Sequence, residues 1–369
     1  MAEEAVRVSD EEVPKAGPFS AVLGQERAIG FLRRALAEGK IPNAYLFSGI
    51  TGAGKTTTAL AFARALNCSA CVDGESCGEC VSCRRMAGGN HPDLEMIRPK
   101  GRTIGIEQMR ELARRIFLKT VVPGGYRVSI IERAEWMTQE AANAFLKTLE
   151  EPPPGNVMIL CVADQRELPS TIESRCQRVP FAPVSPEVLS RWLIQTRELP
   201  ELEASILAGL SGGSVGRALL MAEGGLVERR LKDLEEFLAL PRMSPFEILE
   251  TAVGYAKEEK KQGGQESVLW GVMDLWKSCC RDLVLIHVGA PEGLIVNKDK
   301  EEELRALADK CNIKNLAEIL LILDKAQREL SESRNIDLLA ETTFLRLCSE
   351  ARGTGTDSRS LSERFMGSA

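Results

Sequence analysis

The sequence predicts a parallel α/β domain built around a phosphate-binding loop, followed by a small helical domain and a larger, almost wholly helical one. Three observations predict it. Up to about residue 181, near-continuous apolar runs alternate with amphipathic stretches, as strands covered on both faces alternate with helices. A Gly-rich segment, GITGAGKT (49–56), stands between one such run and a helical stretch. From about residue 245 to 350 the apolar residues recur at helical spacing, as do Leu316, Leu320 and Leu323.

The elements follow in order. Residues 1–18 are acidic, carry no apolar segment and read as a flexible lead, not a signal peptide. ERAIGFLRRALAE (26–38) puts Ile29, Leu32 and Leu36 on one helical stripe, closed by Gly39. NAYLFSGI (43–50) is a buried strand, and ITGAGKTTTALAFARALN is a turn feeding a helix. DLEMIRP (93–99) is a strand and IEQMRELARRIFLK (106–119) an amphipathic helix. After the turn Pro123-Gly124-Gly125, YRVSIIE (126–132) is a strand. AEWMTQEAANAFLKTLEE (134–151) is a helix that three prolines, 152–154, terminate. NVMILCVA (156–163) and VPF (179–181) complete the sheet. Ser185-Pro186-Glu187 starts a helix with proline at its first position, and SGGSVG (211–216) is a turn among short helices. The segments are therefore a lead (1–18), an α/β domain (19–182), a small helical domain (183–242), a larger helical domain (243–350) and a Gly/Ser/Thr/Arg-rich, disordered tail (351–369).

A chain of 369 residues exceeds one ordinary core. Hydrophobic residues are 44% and charged residues 27%, the balance of a globular protein. No apolar run approaches the ~18–20 residues that span a bilayer, so no membrane association and a cytoplasmic location are expected. The net charge of −6 argues against a generally basic surface. Residues 98–133 nevertheless hold nine Lys/Arg against three Glu. The plainer reading is a solvated helix face; the alternative directs Arg110, Arg114 and Lys119 to a phosphate backbone.

GITGAGKT satisfies G-x-x-x-x-G-K-[ST] in the strand–turn–helix context that gives the motif its meaning. Gly49, Gly52 and Gly54 permit the positive φ with which backbone N–H groups close on phosphate oxygens. Lys55 reaches the β- and γ-phosphates, and the Thr56 hydroxyl, with Thr57 beside it, suits the Mg²⁺ end of ATP or ADP. The helix N-terminus adds a dipole favourable to anions. Of the eleven Cys, Cys68, Cys77, Cys80 and Cys83 fall within sixteen residues. Such a cluster in a long chain points to metal before disulfides. Four thiolates close a tetrahedral Zn²⁺ site and leave no catalytic position. Cys71 is a spare that could replace Cys68, and an iron–sulfur cluster or free thiols remain alternatives.

Phosphate loop, Cys-x8-Cys-x2-Cys-x2-Cys, NAFLKTLEEPP (143–153) and STIESRC (170–176) together resemble the bacterial DNA polymerase III clamp loader subunits, which are AAA+ proteins. The resemblance runs from about Phe19 to Phe181 and more weakly to GSVGRAL (213–219). It implies an AAA+ domain, a helical lid and a collar-type oligomerisation domain. It implies partners too: gamma or tau and delta subunits, the sliding clamp indirectly, and primed DNA through the assembly. Arg175 matches the arginine finger, which reaches a neighbour's nucleotide and stabilises charge on the transferred phosphoryl group. Arg217 matches the Arg that senses the subunit's own nucleotide, and Val22-Leu23-Gly24-Gln25 matches the adenine-side segment. The plainer alternatives are a surface ion pair for Arg175 and a helix-capping role for Arg217.

The chain departs from the family where hydrolysis is organised. Active members end the equivalent strand in Asp-Glu. Here Glu132 stands for the Mg²⁺-organising Asp and Arg133 for the water-activating Glu. Arginine cannot act as a base, because it stays protonated. Val162-Ala163 occupies the place of a hydroxyl-bearing sensor. An intact loop and finger beside a degraded catalytic strand resemble the delta prime type of subunit: ATP is held, hydrolysis is weak, and Arg175 serves a neighbour. The alternatives are a gamma-type ATPase motor and another zinc-containing AAA+ ATPase of DNA repair or helicase loading. No two-metal polymerase or nuclease constellation is present in the sequence.

Overall fold

A computed structural model describes residues 16–101, 103–163, 168–223, 226–262, 267–291, 294–309, 311–332 and 335–352. The chain divides into two compact units, Met1–Trp192 with Ser211–Ala218, and Leu193–Leu210 with Leu219–Ala369. Most of the expected lead and tail lies outside the described residues. Of the residues that are described, Ala16 is buried and its amide bonds the Met86 carbonyl at 3.2 Å.

The first unit runs α1 (Glu26–Glu38), β1 (Ala44–Ser48), α2 (Lys55–Leu66), α3 (Val81–Ala87), β2 (Leu94–Ile97), α4 (Ile106–Arg115), β3 (Arg127–Glu132), α5 (Gln139–Glu150), β4 (Asn156–Val162), α6 (Ser170–Glu173) and β5 (Gln177–Pro180). The strands form one sheet in the order β2-β3-β4-β1-β5, and every pairing is parallel. This is the α/β architecture that the apolar runs predict. Side chains alternate between faces with period two. Tyr45, Phe47, Val128, Ile130, Val157 and Ile159 join one core with Phe62 of α2. Ala44, Leu46, Ile131, Met158 and Leu160 join the other with Phe145 of α5. Both faces are covered, which is why the strands read as continuous rather than alternating apolar runs. β1 lies between β4 and β5, out of sequence order. The crevice outside the C-terminal ends of strands at such a crossover is where open α/β sheets bind ligands.

Two helices are shorter than the sequence predicts. The stretch 106–119 is helical only to Arg115. Beyond it, Arg127 Nη1 donates to the Arg115 carbonyl at 2.9 Å and Nη2 to that of Lys119 at 3.1 Å, turning the chain away. The stretch 134–151 is split: a single 3₁₀ turn at Ala134–Trp136, an extended Met137, and then α5. Ile104 takes the intervening backbone, bonding the Trp136 carbonyl and the Thr138 amide at 2.9 and 3.0 Å. The Thr138 hydroxyl then caps α5 by accepting from the Ala141 amide at 3.2 Å.

The remaining helices are α7 (Pro186–Arg197), α8 (Glu201–Leu210), α9 (Val215–Glu223), α10 (Leu226–Ala239), α11 (Pro245–Gln262), α12 (Val268–His287), α13 (Glu301–Ala308), α14 (Ile313–Glu332) and α15 (Ile336–Ala351). The second unit has its own core, centred on Trp276, Tyr255 and Phe344. Residues expected as a separate domain, 183–242, divide between the two units, 183–192 and 211–218 falling with the first. Among the described residues no helix is long and apolar enough to cross a membrane.

Candidate nucleotide site and cysteine cluster

The phosphate loop joins β1 to α2 at the sheet crossover. Gly49, Gly52 and Gly54 all have positive φ, 154°, 77° and 92°. At Gly52 the need is absolute, because a Cβ there would lie 2.2 Å from the Ser214 hydroxyl. Lys55 opens α2, is buried, and donates from Nζ to the carbonyls of Gly49 at 2.5 Å and Ile50 at 2.8 Å. Burial lowers its pKa, Cys161 and Glu135 act to raise it, and Arg133 acts to lower it. Thr56 and Thr57 occupy the first turn of α2. Burial pushes the thiol of Cys161 on β4 up to about 12, against the opposing pull of Lys55. The loop thus offers amides, one ammonium group and one hydroxyl: the donor set for a polyphosphate and its metal ion.

Two braces hold this loop. Gln25 is buried and donates to the Ala53 carbonyl at 3.2 Å and the Ala182 carbonyl at 2.7 Å, while its own oxygen accepts from the Ala182 amide at 3.3 Å. On the other side the turn before α9 bonds the loop directly. Ser214 donates from Oγ to the Thr51 carbonyl at 2.8 Å, and the Gly216 amide bonds the Gly52 carbonyl at 3.0 Å. Arg217 follows on α9, half-buried, its amide donating to Ser214 Oγ at 3.1 Å. GSVGR is therefore attached to the phosphate loop, so Arg217 stands beside it.

The end of β3 is arranged differently from an acidic pair. Arg98 Nε donates to Glu132 Oε2 at 3.0 Å, in a partly buried ion pair. Arg133 takes φ 51° and ψ 51° and lays its guanidinium over the Trp136 ring, 4.4 Å from the centroid. Glu135, to which the sequence reading assigned nothing, stands at the site. Its Oε1 accepts from the Ala163 amide at 3.1 Å, and its Oε2 is buried with no hydrogen-bond partner. The sequence signal was present: a second acid three residues after Glu132, just past an apolar strand.

Arg175 follows α6 and is exposed at 37%. Its guanidinium bonds the Thr171 carbonyl at 2.8 Å and pairs with Glu150 at 2.6 Å. The pair holds an extended cation at the surface and leaves it accessible. In the basic stretch, Arg110 pairs with Glu107 at 2.6 Å and Arg114 with Glu111 at 3.3 Å. These neighbours offset part of the positive charge counted there.

The structure brings together Cys68, Cys77, Cys80 and Cys83, whose sulfurs all lie within 4.8 Å of one another. Cys71 is exposed and stands outside this group. A tetrahedral zinc–thiolate site has sulfurs ~3.8 Å apart, from Zn–S bonds of about 2.3 Å, so the donor set fits. The amides of Cys77, Cys80 and Cys83 donate to the sulfurs of Cys68, Cys77 and Cys80 at 3.2, 3.4 and 3.4 Å. Hydrogen bonds from the Cys80 and Glu79 amides hold the Cys77 thiol below its ordinary range. At Cys80 burial acts upward, but the Cys83 and Ser69 hydrogen bonds outweigh it and the pKa falls to about 6. Burial instead raises the Cys68 thiol and pushes that of Cys83 up to about 12, so in the absence of an ion two of the four sulfurs are held toward thiolate, the form that binds metal.

The profile of the family described as "DNA polymerase III, delta subunit" matches residues 24–185. The chain is 29% identical to DNA polymerase III subunit delta' of Bacillus subtilis (strain 168) over 325 residues, 88% of this chain and 96% of that protein. It is 28% identical to subunit tau of the same organism over 360 residues, 92% of this chain but only 63% of that protein. A solved structure, a gamma subunit-related protein of the polymerase from Thermotoga maritima MSB8, has 19% identity and a TM-score of 0.43, covering 88% of this chain and 100% of that one.

Proposed function

We propose that the chain is a delta prime-type subunit of the DNA polymerase III clamp loader, an AAA+ protein that binds ATP or ADP with Mg²⁺, hydrolyses slowly, and supplies Arg175 to a neighbour's site; the family match over residues 24–185 and the 29% identity to the B. subtilis delta' protein support this reading. One observation carries this reading. At the end of β3, Glu132 is paired with Arg98 and the next position holds a cation stacked on Trp136. The position after Glu132 holds an arginine, which stays protonated and cannot take a proton from water, and loss of a general base typically costs about 10²–10⁴ in rate. The loop itself supports binding, through its three positive-φ glycines, Lys55, Thr56, Thr57 and the attached Arg217. Mg²⁺ supplies charge neutralisation of the phosphates, and this chain's part is to hold and orient them. The coverage of 96% of the B. subtilis delta' relative favours the same reading. The partners that follow are gamma or tau and delta subunits, with the clamp and primed DNA reached through the assembly. The four cysteines hold one Zn²⁺ that folds the insert.

The test is turnover. The purified chain binds ATP with negligible hydrolysis, Lys55→Ala abolishes binding, and Arg175→Ala lowers ATPase of the reconstituted loader while leaving this chain's own nucleotide affinity unchanged. Vigorous hydrolysis by the isolated chain, removed by Lys55→Ala, would establish instead the gamma-type motor that the intact loop and the tau similarity support. Failure to associate with delta and gamma subunits would point to a separate AAA+ ATPase.

A further inference from the structure

We propose that Glu135 is the carboxylate that serves the metal ion of the bound nucleotide, taking the place that position alone would give to Glu132. The inference rests on the nucleotide-binding reading above and deepens it. Glu132 and Glu135 leave the same strand end but meet different partners. The Glu132 carboxylate is turned to Arg98, with Nε to Oε2 at 3.0 Å. A carboxylate committed to a guanidinium is partly neutralised and geometrically fixed. The Glu135 carboxylate makes no ion pair among the described residues. Its Oε1 takes the Ala163 amide, and its Oε2 is buried without a partner. A buried carboxylate oxygen left without a protein partner is costly, so a water or an ion is needed to meet it.

The backbone ties the other oxygen of this carboxylate to the phosphate loop. The peptide unit between Val162 and Ala163 bonds in two directions. Its carbonyl accepts from the Gly49 amide at 3.3 Å, and its N–H donates to Glu135 Oε1 at 3.1 Å. One rigid peptide plane therefore ties the first residue of the phosphate loop to Glu135. Thr56 supplies the loop's hydroxyl in the first turn of α2, directly after Lys55. Glu135 acts electrostatically on Lys55, and both acids act on the Cys161 thiol, Glu132 more strongly. Arg133 is stacked on Trp136 at 4.4 Å. The acid, the hydroxyl and the loop amides thus border one place, with chemistry suited to a hydrated divalent cation.

The experiment compares fluorescent ATP-analogue affinity of the full chain in Mg²⁺ and in EDTA. Wild type binds more tightly in Mg²⁺. Glu135→Gln is isosteric but lacks the charge; it loses about 10–100-fold of that tightening, the usual cost of an outer metal-site group, and keeps the EDTA affinity. Glu132→Gln loses the smaller share. Full tightening in Glu135→Gln, or a larger loss in Glu132→Gln, overturns the assignment. If Glu135→Gln does not fold, Glu135→Asp carries the test: reduced tightening supports the role, and wild-type tightening overturns it. Wild-type chain that binds in neither buffer removes the nucleotide reading itself, and this inference with it.

Discussion

Asp93 directs a loop from inside the first unit. It is fully buried, pairs with Arg127 at 3.0 Å, and accepts the Val121 amide at 2.8 Å. Arg127 in turn holds the carbonyls of Arg115 and Lys119. Removing one member leaves a buried charge with no counterpart, so Asp93→Ala is expected to cost about 3–5 kcal/mol, read as a lowered urea midpoint of the first unit. A loss under about 1 kcal/mol, the scale of exposed pairs, would mean that water replaces the carboxylate. Neither partner was legible as such, because a long-range pair leaves no periodic trace in sequence. The phosphate loop was legible residue by residue, since GITGAGKT encodes its own backbone geometry. The ion pair of Glu132 was not, because its partner Arg98 lies 34 residues away in sequence.

Elements with a strong pattern came through, and those set by distant contacts did not. The helix stripe of α1 and the apolar strands β1, β3 and β4 match their predicted stretches to within a few residues. The premature end of α4 and the break before α5 depend on Arg127 and Ile104, which lie outside the segments they interrupt. The short α3 went unpredicted because it belongs to the cysteine insert. Its N-cap is Cys80, whose sulfur accepts the Cys83 amide. This insert owes little to local propensity, so the metal reading makes a definite prediction. Elemental analysis gives about one Zn²⁺ per chain, and chelation removes the binding energy that folds such sites. Amides of residues 68–88 then exchange freely while those of β1, β3 and β4 stay protected. Unchanged exchange at 68–88 after verified metal removal would assign the fold of the insert to its packing on Met86 and Cys83 instead.

At the scale of the whole molecule, two units with separate cores predict unfolding that is not two-state. Tyr45, Phe62 and Phe145 serve the first, and Trp276, Tyr255 and Phe344 the second. The unit boundary was the part of the architecture least visible in sequence. Composition places a small helical domain at 183–242, yet Ser211–Ala218 falls with the α/β unit because Ser214 and Gly216 bond the phosphate loop. A ligand that binds a native state stabilises what it contacts, by about 2.7 kcal/mol at a hundredfold excess over Kd. The loop, its Gln25 brace and the 211–218 turn all belong to the first unit, so ATP is expected to raise one of two thermal transitions. The second transition should respond instead to Trp276→Ala, a core truncation of about 3–5 kcal/mol. Calorimetry with and without nucleotide reads both effects in the same scans. A single transition that nucleotide and Trp276→Ala both displace would show that the two cores melt as one cooperative body.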